Sequence, residues 1–453
     1  MSICKIIRER RHEAKRFLQR TPKLRSRDKV MEAKKFSKNV IILLFFSVPA
    51  SILNYAFSIV LGRLLTVEQF GTYNSMNSLA CNLIAIYAPF AVLITRITAE
   101  HEKDTYKNSD RYKQLGKIYL LFFVVTSLVG MASYPLLNGR FGASTFIQWL
   151  LILIMIGVMG LHSMSIATIQ GLSKFVLYGF ISAFVMFLKL ILTVVGLQTG
   201  GGFTSVIWAI TLSHAIIIGI CTFVMKRACS IIDGGECLGK GVECEKTFTR
   251  DELIPLYGLT FLVQLVYLFY VNGGEVILMN FLCDEKEIGL YSSIVMLAKI
   301  AVYLITTFNS ALLPAIASKA GDVKGAKGML YASLIFSMVC SLAFVIFMLV
   351  LGDWIVPFLW GEKYTAGLKY LGAALTFAIP LANLMVIHTY ILGRGKLKFY
   401  ALSLCITLVA SAVVGALFSA NTSAVPIAFG VGMCVCIIAT MIYIIFGDKE
   451  DEG

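Results

Sequence analysis

GMLYASLIFSMVCSLAFVIFMLVL, residues Gly328 to Leu351, runs for twenty-four positions without a single charge. A hydrocarbon core ~30 Å thick needs ~20 helical residues to cross it. Lipid offers no hydrogen-bond partner to bare peptide groups, so such a run crosses as an α-helix. Eleven further stretches of about this length (roughly 20 residues) flank it. With it they give spans at 40–61, 74–95, 115–137, 146–169, 175–198, 204–225, 253–282, 288–313, 328–351, 366–392, 397–419 and 422–446. Hydrophobic residues make up 58% of the chain and charged residues 15%, against roughly 25% charged in soluble domains. A water-soluble core could not hide that much apolar surface. The expected fold is an all-α polytopic membrane protein.

The head, 1–39, carries fourteen Lys or Arg and no apolar run, which excludes a cleaved signal peptide. It reads as a basic cytoplasmic tail, disordered because Pro22 and mixed charge break any apolar face, or as an amphipathic segment on anionic lipid. With the N-terminus inside, the cytoplasmic segments hold 32 of the 40 Lys and Arg. Arg63, Arg140, Lys286, Lys363 and Lys369 fall outside, and Arg96, Lys189 and Lys299 fall within or at the edge of helices. The positive-inside rule therefore puts both termini in the cytoplasm, in agreement with an even number of spans. The net charge of +14 is a topology signal rather than a nucleic-acid surface.

Short outer loops, such as 198–204 and 419–422, leave no room for the carboxylates and metal ligands of an outward-facing enzyme, so a transporter is expected. Cys229, Cys237 and Cys244, in the longest internal loop, lack zinc spacing and any His, so no metal site or other cofactor is expected. That loop reads as a tether. The chain divides into a tail 1–39, an N-terminal six-helix bundle 40–226, a linker 227–252, a C-terminal six-helix bundle 253–446 and a tail 447–453. The halves repeat. Gly71-Thr72-Tyr73 matches Gly289-Leu290-Tyr291 at an offset of 218 residues, and Gly171-Leu172-Ser173-Lys174 with Tyr178 matches Gly393-Arg394-Gly395-Lys396 with Tyr400 at 222. Two same-orientation six-span units relate by a pseudo-two-fold axis along the membrane normal, an arrangement of alternating-access transporters.

Gly62-Arg63-Leu64-Leu65 and Glu68 to Tyr73 resemble the first outer loop of bacterial polysaccharide exporters. So do Glu275 fourteen residues before Gly289, the Lys299–Pro314 stretch, Trp360-Gly361-Glu362-Lys363-Tyr364 and Leu392-Gly393-x-Gly395-Lys396. Over residues 36–446 the chain resembles the lipid-linked oligosaccharide flippases of the multidrug/oligosaccharidyl-lipid/polysaccharide exporter superfamily. The resemblance implies a V-shaped pair of bundles in a bacterial plasma membrane. It also implies a monomer open to contact with polysaccharide-assembly proteins, and transfer of an undecaprenyl-pyrophosphate-linked sugar from inner to outer leaflet. The acid in span seven is Glu275 here, where the family more often has Asp. A cation-coupled multidrug antiporter of the same superfamily is the alternative. The antiporters that resemble this fold usually carry acids in their N-terminal bundle for cation coupling, and spans one to six here hold none.

Ionisable groups inside spans cost at least ~2.5–3.5 kcal/mol at the bilayer centre, so each is a functional candidate. Lys299 and Lys189 sit deep in spans eight and five, and Glu275 is the sole acid well inside any span. One acid cannot pair two lysines. Lys299, Lys189 and Arg96 are therefore the expected substrate-binding cations, against buried ion pairing for the lysines and a snorkelling anchor for Arg96. Glu275 is expected to couple transport to H⁺ or Na⁺, or to hold a lysine. His162, His214 and His388 are expected as interhelical hydrogen-bond partners, with a proton carrier as the alternative. Pro49, Pro89 and Pro380 lie within spans as kink positions.

Overall fold

The computed structural model describes residues 45, 49–87, 91, 94–95, 105–137, 139–142, 145–171, 174–233, 250–318, 323–394 and 397–447. The basic tail, Arg96, Pro89, residues 234–249 of the linker and 448–453 lie outside the described residues. Among those described, every regular element is helical. Helix α1 covers residues 49–64, and α2 is Val67–Ala85. Next come α3 (Thr105–Leu137), α4 (Phe146–Gly171), α5 (Phe175–Gln198) and α6 (Gly202–Asp233). The second half holds α7 (Arg250–Val271), α8 (Gly274–Leu282), α9 (Glu285–Ser318) and α10 (Val323–Trp360). A 3₁₀ segment, Glu362–Tyr370, then leads into α11 (Leu371–Arg394), α12 (Leu397–Leu417) and α13 (Ala424–Gly447). Each of the twelve expected spans thus carries helix. Seven of the described helices are long and apolar enough to cross a membrane by themselves.

Span seven is not the single helix expected over 253–282. It breaks between α7 and α8 with a bend of 61°. Gly273 takes a left-handed φ of +84°, and its missing Cβ would lie 2.6 Å from Ser78 Oγ. Only glycine meets both demands without strain. Other helices overrun their expected ends. α10 continues nine residues past Leu351, through Asp353 and Pro357, and α6 runs to Asp233, into the expected linker. Hydropathy marks where lipid lies, whereas a helix such as α10 stops where a breaker such as Gly361 arrives. Two starts are capped locally: Thr66 and Gln69 exchange side-chain-to-backbone hydrogen bonds, and Thr145 and Gln148 do the same.

The helices form two groups, the first built on α4, α5 and α6 and the second on α9, α11 and α13. α11 is the innermost, with 78% of its apolar window buried, whereas α10 buries 17% and turns Leu349 and Val350 outward. In lipid that outward face needs no cover. The groups meet chiefly where α2 crosses α9. Here the repeated glycines face each other's helices. A Cβ on Gly71 would run into the Glu285 carbonyl, and one on Gly289 into the Val67 carbonyl. The backbones can therefore approach as closely as small residues allow.

That crossing closes one end of the molecule. Phe70, Trp360 and Tyr364 pack there with ring centroids 5.3 to 6.1 Å apart, all fully buried. Around this plug, cations reach across from one half to the other. Arg63 donates from Nε to the Leu359 carbonyl at 2.9 Å and from Nη2 to that of Phe358. Lys363 returns the contact, donating to the carbonyls of Arg63, at 3.2 Å, and Leu65. Arg140 donates to the Asn280 carbonyl. All three acceptors groups lie at helix C-termini (α10, α1 and α8), where carbonyls lack intrahelical partners and the helix dipole is negative.

Candidate functional site

Glu275 occupies the first turn of α8, directly after the break, and is fully buried. The break places its carboxylate inside the protein beside a helix N-terminus, a favourable site for negative charge. Lys299 of α9 approaches it with Nζ 3.7 Å from Oε1. That is ion-pair separation, longer than a hydrogen bond, and neither carboxylate oxygen has a hydrogen-bond partner among the described residues. Lys299 also lies 5.1 Å from the centre of the Phe377 ring. The Tyr291 hydroxyl, buried and without a partner among the described residues, is within electrostatic reach of Glu275.

Lys189 of α5 has different company. Its Nζ donates to Asn54 Oδ1 at 3.2 Å and sits 3.9 Å from the centre of the Phe57 ring. No carboxylate lies within ion-pair distance of it among the described residues. Both lysines are within electrostatic reach of Cys81 on α2, the helix that bridges the two halves. Nearby hydrogen bonds join the halves at this depth: the Tyr55 hydroxyl to the Met296 carbonyl at 2.7 Å, and Asn272 Nδ2 to the Cys81 carbonyl at 3.2 Å. In this conformation the two ammonium groups are packed rather than open to a wide cavity, Lys189 being 8% exposed and the Lys299 side chain 14%.

His388 joins three helices. Its Nε2 faces Gln264 Oε1 at 3.0 Å, its Nδ1 faces the Tyr400 hydroxyl at 3.3 Å, and its ring stacks on Tyr267 at 3.6 Å. His214 instead hydrogen-bonds back to the Ile210 carbonyl in its own helix, with His162 edge-on at 4.8 Å. A crevice of about 750 Å³ lies apart from the lysines, between α12 and α13, and is lined by apolar residues such as Val414 and Val431. Sequence reading missed the Glu275 break, although Asn272-Gly273-Gly274 in mid-span was its signal.

A family model described as polysaccharide biosynthesis protein matches residues 36–319. The chain belongs to that family. Among solved structures, it is similar to an inward-facing multidrug resistance MATE family transporter of the MOP superfamily. The TM-score is 0.68 at 14% identity, covering 91% of this chain and 98% of that one. The lipid II flippase MurJ in an inward closed conformation matches with a TM-score of 0.63 at 13% identity, over 89% of this chain and 87% of that one. A MOP superfamily transporter from Pyrococcus furiosus, described by the reverse polarity of its binding pocket, matches with a TM-score of 0.60 at 13% identity, over 92% and 95%. No curated protein matches in sequence. At these identities the likeness is one of fold: two six-helix bundles in a multi-pass membrane protein.

Proposed function

We propose that this family member moves an undecaprenyl-pyrophosphate-linked oligosaccharide from the cytoplasmic to the outer leaflet of a bacterial plasma membrane. The observation that carries this reading is Lys189, a buried ammonium whose partners among the described residues are neutral, with a second lysine also within electrostatic reach of Cys81. With one acid against two deep lysines the path is net positive, as a pyrophosphate head group requires and a cationic drug opposes. By the positive-inside rule the end sealed by α2 and α9 is the outer one, and both termini are cytoplasmic. A head group entering from the cytoplasm meets the two lysines, with Arg96, at the cytoplasmic end of span two in the sequence, as a third cation for it, while its prenyl tail stays in lipid.

Lys299 is the moving part of this scheme. Phosphoryl oxygens compete with Glu275 for its ammonium, and the released carboxylate takes up H⁺ or Na⁺. That exchange couples loading to the change of access without any cofactor. The chain works as a monomer open to contact with polysaccharide-assembly proteins.

The deciding assay follows lipid-linked oligosaccharide reaching the outer leaflet of vesicles that lack any other flippase. Lys299→Arg should retain more transport than Lys299→Gln, since charge matters more than shape here. Loss of one charged contact, worth ~1.5–3 kcal/mol, should weaken head-group use roughly ten- to a hundredfold. Parental rates in both Lys299→Gln and Lys189→Gln would end the proposal, and export of cationic dyes by the parent would make the chain an antiporter.

A further inference from the structure

The two deep lysines are held in opposite ways. Lys299 faces a full negative charge on Glu275 at 3.7 Å, so that pair is close to neutral. Lys189 faces a side-chain amide oxygen and an aromatic face. A dipole and a ring quadrupole fix an ammonium in place but leave its net charge uncancelled. Asn54 supplies the amide. It lies on α1, is partly exposed, and stands 135 positions before Lys189 in the chain. With Oδ1 accepting from Lys189, its Nδ2 keeps two N–H donors for another acceptor.

We infer that Asn54 is the positioning residue of an anion site centred on Lys189, and that its neutrality sets the site's preference for phosphate-bearing lipids. This rests on the cationic-path reading and deepens it: head-group selection belongs to the N-terminal half, and the Glu275–Lys299 pair of the other half does not contribute a standing charge. An acid at position 54 would reach Lys189 at the same distance and cancel it. Asn54→Asp is thus a nearly isosteric change that improves the local pairing while removing the anion site.

The test measures binding of farnesyl pyrophosphate and of uncharged farnesol to the purified full chain, together with its melting temperature. Asn54→Asp should weaken farnesyl pyrophosphate about tenfold or more, as Lys189→Gln does, with farnesol binding and melting temperature at or above parental values. Asn54→Leu, which removes the acceptor and adds no charge, should weaken it less and serves if the aspartate variant does not fold. Parental affinity in both Asn54 variants alongside a weakened Lys189→Gln would overturn the role of Asn54. Parental affinity in Lys189→Gln would overturn the cationic path itself.

Discussion

A carboxylate and an ammonium removed from water recover the loss only through each other, which makes the Glu275–Lys299 pair sensitive to changes in one partner. Removing a single partner leaves an uncompensated buried charge at a cost of about 3–5 kcal/mol. Removing both should cost far less. Glu275→Gln combined with Lys299→Gln is therefore expected to express and melt closer to the parent than Lys299→Gln alone, yet to remain inactive in flipping. Restored transport in the double variant would mean that the pair is structural only. Glu287, at the sealed end, gives a pH-dependent counterpart. Partial burial raises its carboxyl, but hydrogen bonds from Lys369, at 3.0 Å, and Tyr370 outweigh that and hold it below its ordinary value. A depressed carboxylate stabilises above its unfolded value and loses that contribution as pH falls through the folded one. Acidification through the carboxylate range should loosen the 3₁₀ segment that carries Lys363, seen as rising protease or label access there. Glu287→Gln should abolish that pH dependence. These residues were legible to different degrees. Charges in apolar runs declare themselves by their cost, so Lys189, Lys299 and Glu275 stood out. Their partners did not, because Asn54 is a common residue in an ordinary position and meets Lys189 only through tertiary packing.

At the scale of elements, the break between α7 and α8 has the clearest consequence. Gly273→Ala places a Cβ on a left-handed backbone and against Ser78, costing about 1–2 kcal/mol or pushing the turn aside. Either result displaces Glu275, two residues on. Such a variant should insert normally but lose transport, and Gly274→Ala, whose Cβ would strike the Phe269 ring, should do likewise. Full activity in both would separate the break from the mechanism. The crossing of α2 and α9 was half legible: the offset of 218 residues announced a repeat, but not that the repeated glycines would pack against each other's helix. Symmetry shows in one dimension, while contact across its axis needs three. Helix ends were the least legible, since α10 outruns its uncharged stretch through Gly352, Asp353 and Pro357 and stops only at Gly361, a boundary that hydropathy does not mark.

For the whole molecule, the orientation rests on charge. Cysteines at Gly201 and Ser419 should be labelled from outside, and those at Lys240 and Gly395 should not. The reverse pattern would invert the assignment. The seal makes a second prediction. A cysteine at Ser75, fully buried beneath the plug, should resist external reagents in the parent on a cysteine-free background. With Arg63→Gln and Lys363→Gln together, labelling should rise severalfold, because two of the three cations that span the halves at that end are gone. Unchanged labelling would show that the glycine crossing and the aromatic plug hold the seal without them.

The acceptors of those cations also have a genetic consequence. Arg63, Lys363 and Arg140 all grip peptide carbonyls rather than acidic side chains. A backbone oxygen is encoded by no particular codon. Residues at 280, 358 and 359 can therefore drift while the acceptors persist, and no charge-swapped second-site suppressor can restore a lost arginine. Revertants of a broken seal should map to the donors themselves, or to substitutions that strengthen the crossing elsewhere.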